Sequence, residues 1–348
     1  MIKKITILFA LLIAVIGLVP ATAQDDMAQT NKQKVLDTYA AYNAGDREAL
    51  YTLVTDPFMM DQGDPGLDET TVADLKGYDA ALFTAMPDLQ STPDVVIAQG
   101  DWVVAQITST GTFTQPFQFE PFGPNAFPAT NAMVTWTELN FMHFNADGLV
   151  DEFRGASDPF ILFGQLGIFP PMGGDESTAG TLIDSPAGYQ ALSTDELAAT
   201  FTSGLEDRNL GLFNEQIALG PGTWVQYYAD PYVLWSTAKA YSLTASDAQE
   251  QGAFFDMIKQ AMPDATITVN VSVAQGDWVA AIGTVTGTFT EDVNFMGTTL
   301  THTGEQIVWQ ASILDRYNAD GKIVEERLEG NPISLLAGLG LMPPMGDQ

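Results

Sequence analysis

MPDLQSTPDVVIAQGDWVVAQITSTGTFT occupies residues 86–114, and MPDATITVNVSVAQGDWVAAIGTVTGTFT occupies residues 262–290. Aligned without a gap, 18 of the 29 positions are identical. A second match runs from Trp136 to Gly167 and from Trp309 to Gly340, and it includes Asn-Ala-Asp-Gly at 145–148 and 318–321. The tails also agree, FPPMG at 169–173 and MPPMG at 342–346. The offset is 176 residues in the first block and 173 in the second, so one loop differs in length. Solenoid units are only a few tens of residues long, so this is one whole domain written twice. A chain of 348 residues accommodates two domains of ordinary size.

Outward from the repeats, the first residues read as a leader. Lys3 and Lys4 precede an apolar run from Ile5 to Val19, and Ala21-Thr22-Ala23 offers a small-residue cleavage site before Gln24. This is the pattern of a secretory signal peptide over 1–23, and the run is short for a membrane span. The expected location is therefore secreted or periplasmic, with no membrane attachment after cleavage. The chain has no Cys, which removes disulfides and thiolate chemistry. Its formal charge is −31, with 44 acidic residues spread over both halves. That balance argues against nucleic acid and anionic membranes as partners.

Each copy begins with helical spacing. Val35, Leu36, Tyr39 and Tyr42 mark a first helix with Thr30 or Asn31 as its cap. In the second copy Ser193-Thr194-Asp195-Glu196 reads as a capping box ahead of Leu197, Phe201 and Leu205. Another helix leads into each Met-Pro-Asp. Strands are expected at 92–99, 102–114, 132–145 and 149–157, and again at 266–275, 278–290, 305–318 and 322–330. Gly100-Asp101 and Ala146-Asp147-Gly148 are hairpin signals. A short apolar helix closes each unit, and the turn-rich stretch 173–192 reads as a linker. Helices followed by a run of strands predict an α+β fold, with domains at 28–172 and 193–346.

The order Met-Pro-Asp, Gly-Asp-Trp-Val, Gly-Thr-Phe-Thr, Ala-Asp-Gly and a closing Gln-Leu-Gly resembles the SnoaL-like polyketide and ester cyclases of the nuclear transport factor 2-like superfamily. The resemblance implies two tandem cone-shaped α+β barrels, with helices packed on a curved antiparallel sheet. It implies chemistry without metal or organic cofactor, on a small hydrophobic molecule. In that family an Asp nine residues before the Gly of Gln-Leu-Gly serves as acid/base in an intramolecular aldol closure. Here the position is Asp158, and in the second copy it is Asn331, which cannot exchange a proton near neutral pH. Single-copy relatives pair through their sheets, so the resemblance also implies an intramolecular pseudo-dimer that is monomeric in solution.

Strand parity places Trp136, Glu138 and Asn140 on one face, where the second copy has Trp309, Ala311 and Ile313. The family analogy turns that face toward the cavity. Parity also groups Glu152 and Arg154 with Asp158, so Arg154 is a candidate anion-binding group or one half of an ion pair. The chain departs from relatives that read Gly-Thr-His-Thr-Gly, because Phe113 and Phe289 stand at the His position. Asp158 before Pro159 is also a natural helix cap. The acidic run Asp61, Asp64, Asp68 and Glu69 misses the EF-hand spacing. Two functional readings follow: a cofactor-independent acid/base enzyme active in domain 1 only, and a non-catalytic module that binds a small molecule.

Overall fold

A computed structural model describes residues 21–61, 66–117, 127–166, 204–235, 248–295, 298–331 and 333–340. The expected linker, the capping box at 193–196 and residues 1–20 of the expected leader lie outside them. Domain 1 runs α1 (Ala21–Asn43), α2 (Glu48–Tyr51), β1 (Val54–Asp61), β2 (Asp68–Thr70), α3 (Val72–Ala85), β3 (Gln90–Gln99), β4 (Trp102–Thr112), β5 (Met133–Phe144), β6 (Val150–Ala156) and α4 (Pro159–Gln165). Domain 2 runs α5 (Leu205–Leu219), a 3-10 turn, β7 (Tyr228–Trp235), α6 (Ala248–Ala261), β8 (Thr266–Gln275) and β9 (Trp278–Thr288). It continues through the small hairpin β10 (Val293–Phe295) and β11 (Thr298–Leu300), then β12 (Gln306–Tyr317), β13 (Ile323–Gly330) and α7 (Ile333–Gly338). Among the described residues no helix is long and apolar enough to cross a membrane. Thr30 and Asn31 lie inside α1 rather than capping it, and the Thr30 hydroxyl donates back to the Asp26 carbonyl at 2.8 Å.

The eight long strands fall within two residues of their expected ends. Their two-residue hairpin explains the first register: Gln99 pairs with Trp102, and Gly100 takes a φ of 62° that only glycine adopts without strain. The repeated Met-Pro-Asp and Gly-Thr motifs prove to be parts of one structural staple. Asp88 accepts from the Thr112 amide and hydroxyl at 2.7 and 2.6 Å, and Asp264 does the same with Thr288 at 2.7 Å each. These bonds hold both carboxyls below their ordinary range. Gly111 and Gly287 lack a side chain because Met86 and Met262 pack where a Cβ would stand, 3.1 and 2.9 Å away. The most repeated residues therefore serve the fold.

Two features of the expected architecture are overturned. The sheets are open, in the orders β2-β1-β6-β5-β4-β3 and β7-β13-β12-β9-β8, and neither closes into a cone-shaped barrel. Closure would require the first and last strands to exchange ladder bonds. Instead α1 packs along β3, and β3 also meets β8 of the other domain. Nor are the sheets purely antiparallel: β1 runs parallel to β6, and β7 runs parallel to β13. Both parallel pairs arise because the segment between the first helix and α3 or α6 returns to the far edge of its sheet.

The outer faces of the two sheets pack together. Ile97, Val104, Leu139 and Phe141 share one apolar core with Val273, Trp278, Ala280 and Ile282. Each fully buried side chain of this size contributes about 1.5–3 kcal/mol. The contact is reciprocal: the Gln275 side chain accepts from the Ala98 amide at 3.0 Å, and the Gln99 side chain accepts from the Ala274 amide at 3.0 Å. Those residues correspond under the 176-residue offset, as the self-matching patch of a two-fold pair requires. The tandem domains are thus arranged as a pseudo-dimer. Lys32 of α1 is enclosed at this boundary, its Nζ 3.3 Å from the Gln275 side chain, and burial lowers its pKa to about 8.

Candidate functional site

The face of β5 opposite the domain contact looks into a cavity of about 380 Å³ beneath α1 and α3. Alternation along the strand decides this: Leu139 and Phe141 enter the shared core, so Trp136, Glu138 and Asn140 turn inward and line the cavity. The Trp136 indole N–H donates to Glu138 Oε1 at 2.8 Å. Asn140 Nδ2 lies 3.4 Å from both Glu138 Oε2 and the Tyr39 hydroxyl. Its other amide atom, Oδ1, is buried without a hydrogen-bond partner among the described residues. An orphaned polar atom in a cavity wall costs about 1–3 kcal/mol and marks a place where a ligand could bond.

Burial pushes the Glu138 carboxyl above its usual range, against the opposing pull of its bonds to Trp136 and Asn140. A second buried acid faces the same space. Asp79 on α3 is 4 % exposed, and it accepts from the Tyr51 hydroxyl at 2.9 Å and from Tyr42. Burial raises it too, with Tyr51, Tyr42 and Arg47 pulling the other way. Asp158 lines the cavity where the chain leaves β6. Its carbonyl accepts from the Ile161 amide at 3.2 Å and Pro159 begins α4, so it also stands at the cap position of that helix. The site and cap readings of Asp158 are geometrically compatible.

Arg154 is placed differently from its grouping by parity. It registers opposite Phe141, on the face turned away from the cavity, and its Nε pairs with Glu152 at 2.6 Å. Parity stops at Ala156, the last residue of β6, so Asp158 is free to turn back inward.

Domain 2 reaches the rim of this cavity through two contacts that have no mirror image. The Gln310 side-chain amide donates to Asp61, a cavity residue. Glu329, 5 % exposed, accepts from the Thr137 hydroxyl and from the backbone N–H of Asp158. Burial first, then the charges of Asp158 and Glu138, hold Glu329 well above the usual carboxylate range. Under the 173-residue offset Thr137 and Ala156 stand where domain 2 has Gln310 and Glu329, so domain 1 cannot return either contact.

Sequence reasoning missed Asp79, the cavity-facing role of Tyr39 and Tyr42, and Glu329. Asp79 carried a signal, because the 176-residue offset sets it against Phe255. Glu329 carried none, since its role exists only across the domain contact.

A family model described as SnoaL-like polyketide cyclase matches residues 33–166 and again 228–339. The chain belongs to this family. The first SnoaL-like match includes Glu138, Asp79 and Asp158, and the second begins at β7, after α5. Among solved structures, the chain is similar to AclR from Streptomyces galilaeus at 24% identity and a TM-score of 0.36, covering 41% of this chain and 99% of AclR. It is similar to TsrD from Streptomyces laurentii at 22% identity and a TM-score of 0.33, covering 41% and 97%. IdmH from Streptomyces antibioticus aligns at 24% identity and a TM-score of 0.32, covering 39% and 98%. A search of curated proteins finds no match.

Proposed function

We propose that domain 1 is a cofactor-independent acid/base catalyst acting on a small hydrophobic carbonyl compound, in the manner of a cyclase or isomerase. The observation that carries this reading is the convergence of Glu138, Asp79 and Asp158 on one largely apolar cavity beside the unpartnered Asn140 Oδ1. Carboxyls in different environments can divide acid and base roles between them. Asp158, at the mouth, takes a proton from the carbon next to the carbonyl. Glu138, whose protonated form burial favours, gives its proton to the carbonyl oxygen, so an enol forms with no net gain or loss of protons. Trp136 and Asn140 orient Glu138 and the substrate. Domain 2 has Ala311, Ile313, Phe255 and Asn331 at the corresponding positions and lacks these groups.

The test is deuterium wash-in at the α-carbon of a model β-diketone in D₂O, followed by NMR. Asp158→Asn should lower the catalysed rate by about 10²–10⁴-fold, the usual span for a positioned acid or base. Asn331→Ala should leave it unchanged. The cap position of Asp158 supports the second reading, a binding module. If Asp158→Asn lowers only the melting temperature, that reading takes the place of the enzyme.

A further inference from the structure

Domain 2 has buried acids of its own, placed where domain 1 has none. Asp315 and Glu326 face each other across β12 and β13, 0 % and 3 % exposed. Domain 1 has Met142 and Phe153 at these positions. The Tyr228 and Tyr232 hydroxyls donate to the two Glu326 oxygens at 2.9 and 3.0 Å. Among the described residues nothing donates to either oxygen of Asp315, and the hydrogen bond of the pair runs from the Asp315 carboxyl to Glu326. Burial pushes both acids upward, and the Glu326 charge adds to this for Asp315. Two facing carboxyls of this kind titrate as a pair rather than singly.

Glu326 opens onto an apolar cavity of about 180 Å³ whose walls include Trp224, Trp309, Ala311 and Ile313. An apolar cavity of roughly 150 Å³ accepts benzene, so this one suits a single ring or a short chain. The second independent mark of a ligand is Gln216 of α5, which lines the same cavity. It is 3 % exposed, and its amide oxygen has no hydrogen-bond partner among the described residues. Among the described residues, the buried atoms of this lining without a hydrogen-bond partner are all oxygens, Gln216 Oε1, Gln310 Oε1 and Glu329 Oε2, and the Glu326 and Asp158 side chains stand in the same wall. A neutral carbonyl ligand would meet these with a further acceptor. A primary ammonium brings three donors and a positive charge to a wall that holds carboxyls and unpartnered oxygens.

We propose that the domain 2 cavity binds a small apolar amine, its ammonium held near Glu326 and the Gln216 oxygen and its hydrocarbon body against Trp224 and Trp309. This site shares Asp158 with the domain 1 cavity but does not require the chemistry proposed there. Degenerate by the standard of Asp158, domain 2 has moved its acids to another wall.

The experiment is calorimetric titration of the full chain with benzylamine, toluene and acetophenone at 0.15 M salt, where charges on the acidic surface are screened. Benzylamine should bind at least tenfold more tightly than the other two. Glu326→Gln should remove that advantage while leaving toluene affinity unchanged, and Gln216→Leu should reduce it several-fold. Ala311→Leu, which fills the cavity, should abolish binding. Acetophenone binding as tightly as benzylamine would overturn the proposal. So would amine affinity that survives Glu326→Gln or Ala311→Leu, or no binding at all. If Glu326→Gln fails to fold, Gln216→Leu and Ala311→Leu decide. Because binding and not turnover is read, the outcome is independent of the wash-in assay.

Discussion

The two cavities are built on the same strands and differ in where their buried acids stand. Domain 1 places Glu138 and Asp79 beneath α1 and α3, with Asp158 at the mouth. Domain 2 has Ala311, Phe255 and Asn331 there, and places Asp315 and Glu326 where domain 1 has Met142 and Phe153. The shared staples at Asp88 and Asp264, and the reciprocal Gln99 and Gln275 contacts, are unchanged between copies. Duplication thus kept what both folds and the interface need, while the cavity walls diverged. The asymmetric contacts converge on domain 1, where Gln310 and Glu329 hold Asp61 and the Asp158 backbone. Domain 2 thus braces two residues of its partner's cavity, while Asp158 of domain 1 also lines the domain 2 cavity.

The largest expected effect tests whether chemistry is confined to one copy. Asp158→Asn should cost about 10²–10⁴-fold in the wash-in assay, and adding Asn331→Asp should not restore it, because domain 2 lacks Glu138 and Asp79. Recovery in the double variant would erase the distinction between the copies.

Next is the cross-domain arm. Glu329→Ala leaves the Thr137 hydroxyl and the Asp158 amide without their acceptor, which should cost about 1–3 kcal/mol. Chemical denaturation would measure the loss. Glu329→Gln keeps an acceptor and should recover most of it together with wash-in activity. Equal loss in both variants would show that the acid itself, not the contact, matters.

A smaller effect concerns the relocated acids. A carboxyl raised in the folded state binds its proton more tightly there than in the unfolded chain. Stability therefore falls as pH climbs from the ordinary carboxylate range through the raised value. Asp315→Asn removes that slope, so the melting temperature should rise by about 2–4 °C at pH 8, the shift for roughly 1 kcal/mol in a domain of this size, and by less at pH 5. A uniform shift at both pH values would mean that desolvation of Asp315 is not the cause.

The smallest effect probes what the copies share. Gln99→Ala and Gln275→Ala each orphan one amide across the interface and should each cost about 1 kcal/mol in denaturation. Gln275→Ala should cost slightly more, because Gln275 also bonds Lys32. In light scattering the wild-type chain should be a monomer, since its pairing surface is already occupied from within. A stable dimer would show a second surface at work.

By itself, the sequence determined the duplication, the strands and their turns, because alternation, turn glycines and repeated motifs are local and are written in order along the chain. Glu138 and Asn140 were legible for the same reason: period-two geometry puts them on one face with Trp136, and the second copy changes both. Where a strand ends, parity loses its authority, which is why Arg154 separates from Asp158. Whether the sheets closed was decided in three dimensions, by α1 and the opposite domain occupying the β3 edge. Asp79 joins Glu138 only because α3 folds over the sheet, and Glu329 meets the Asp158 amide only because two outer faces pack. Burial that raises a carboxyl's pKa is a property of everything packed around it, and no stretch of sequence contains that surrounding.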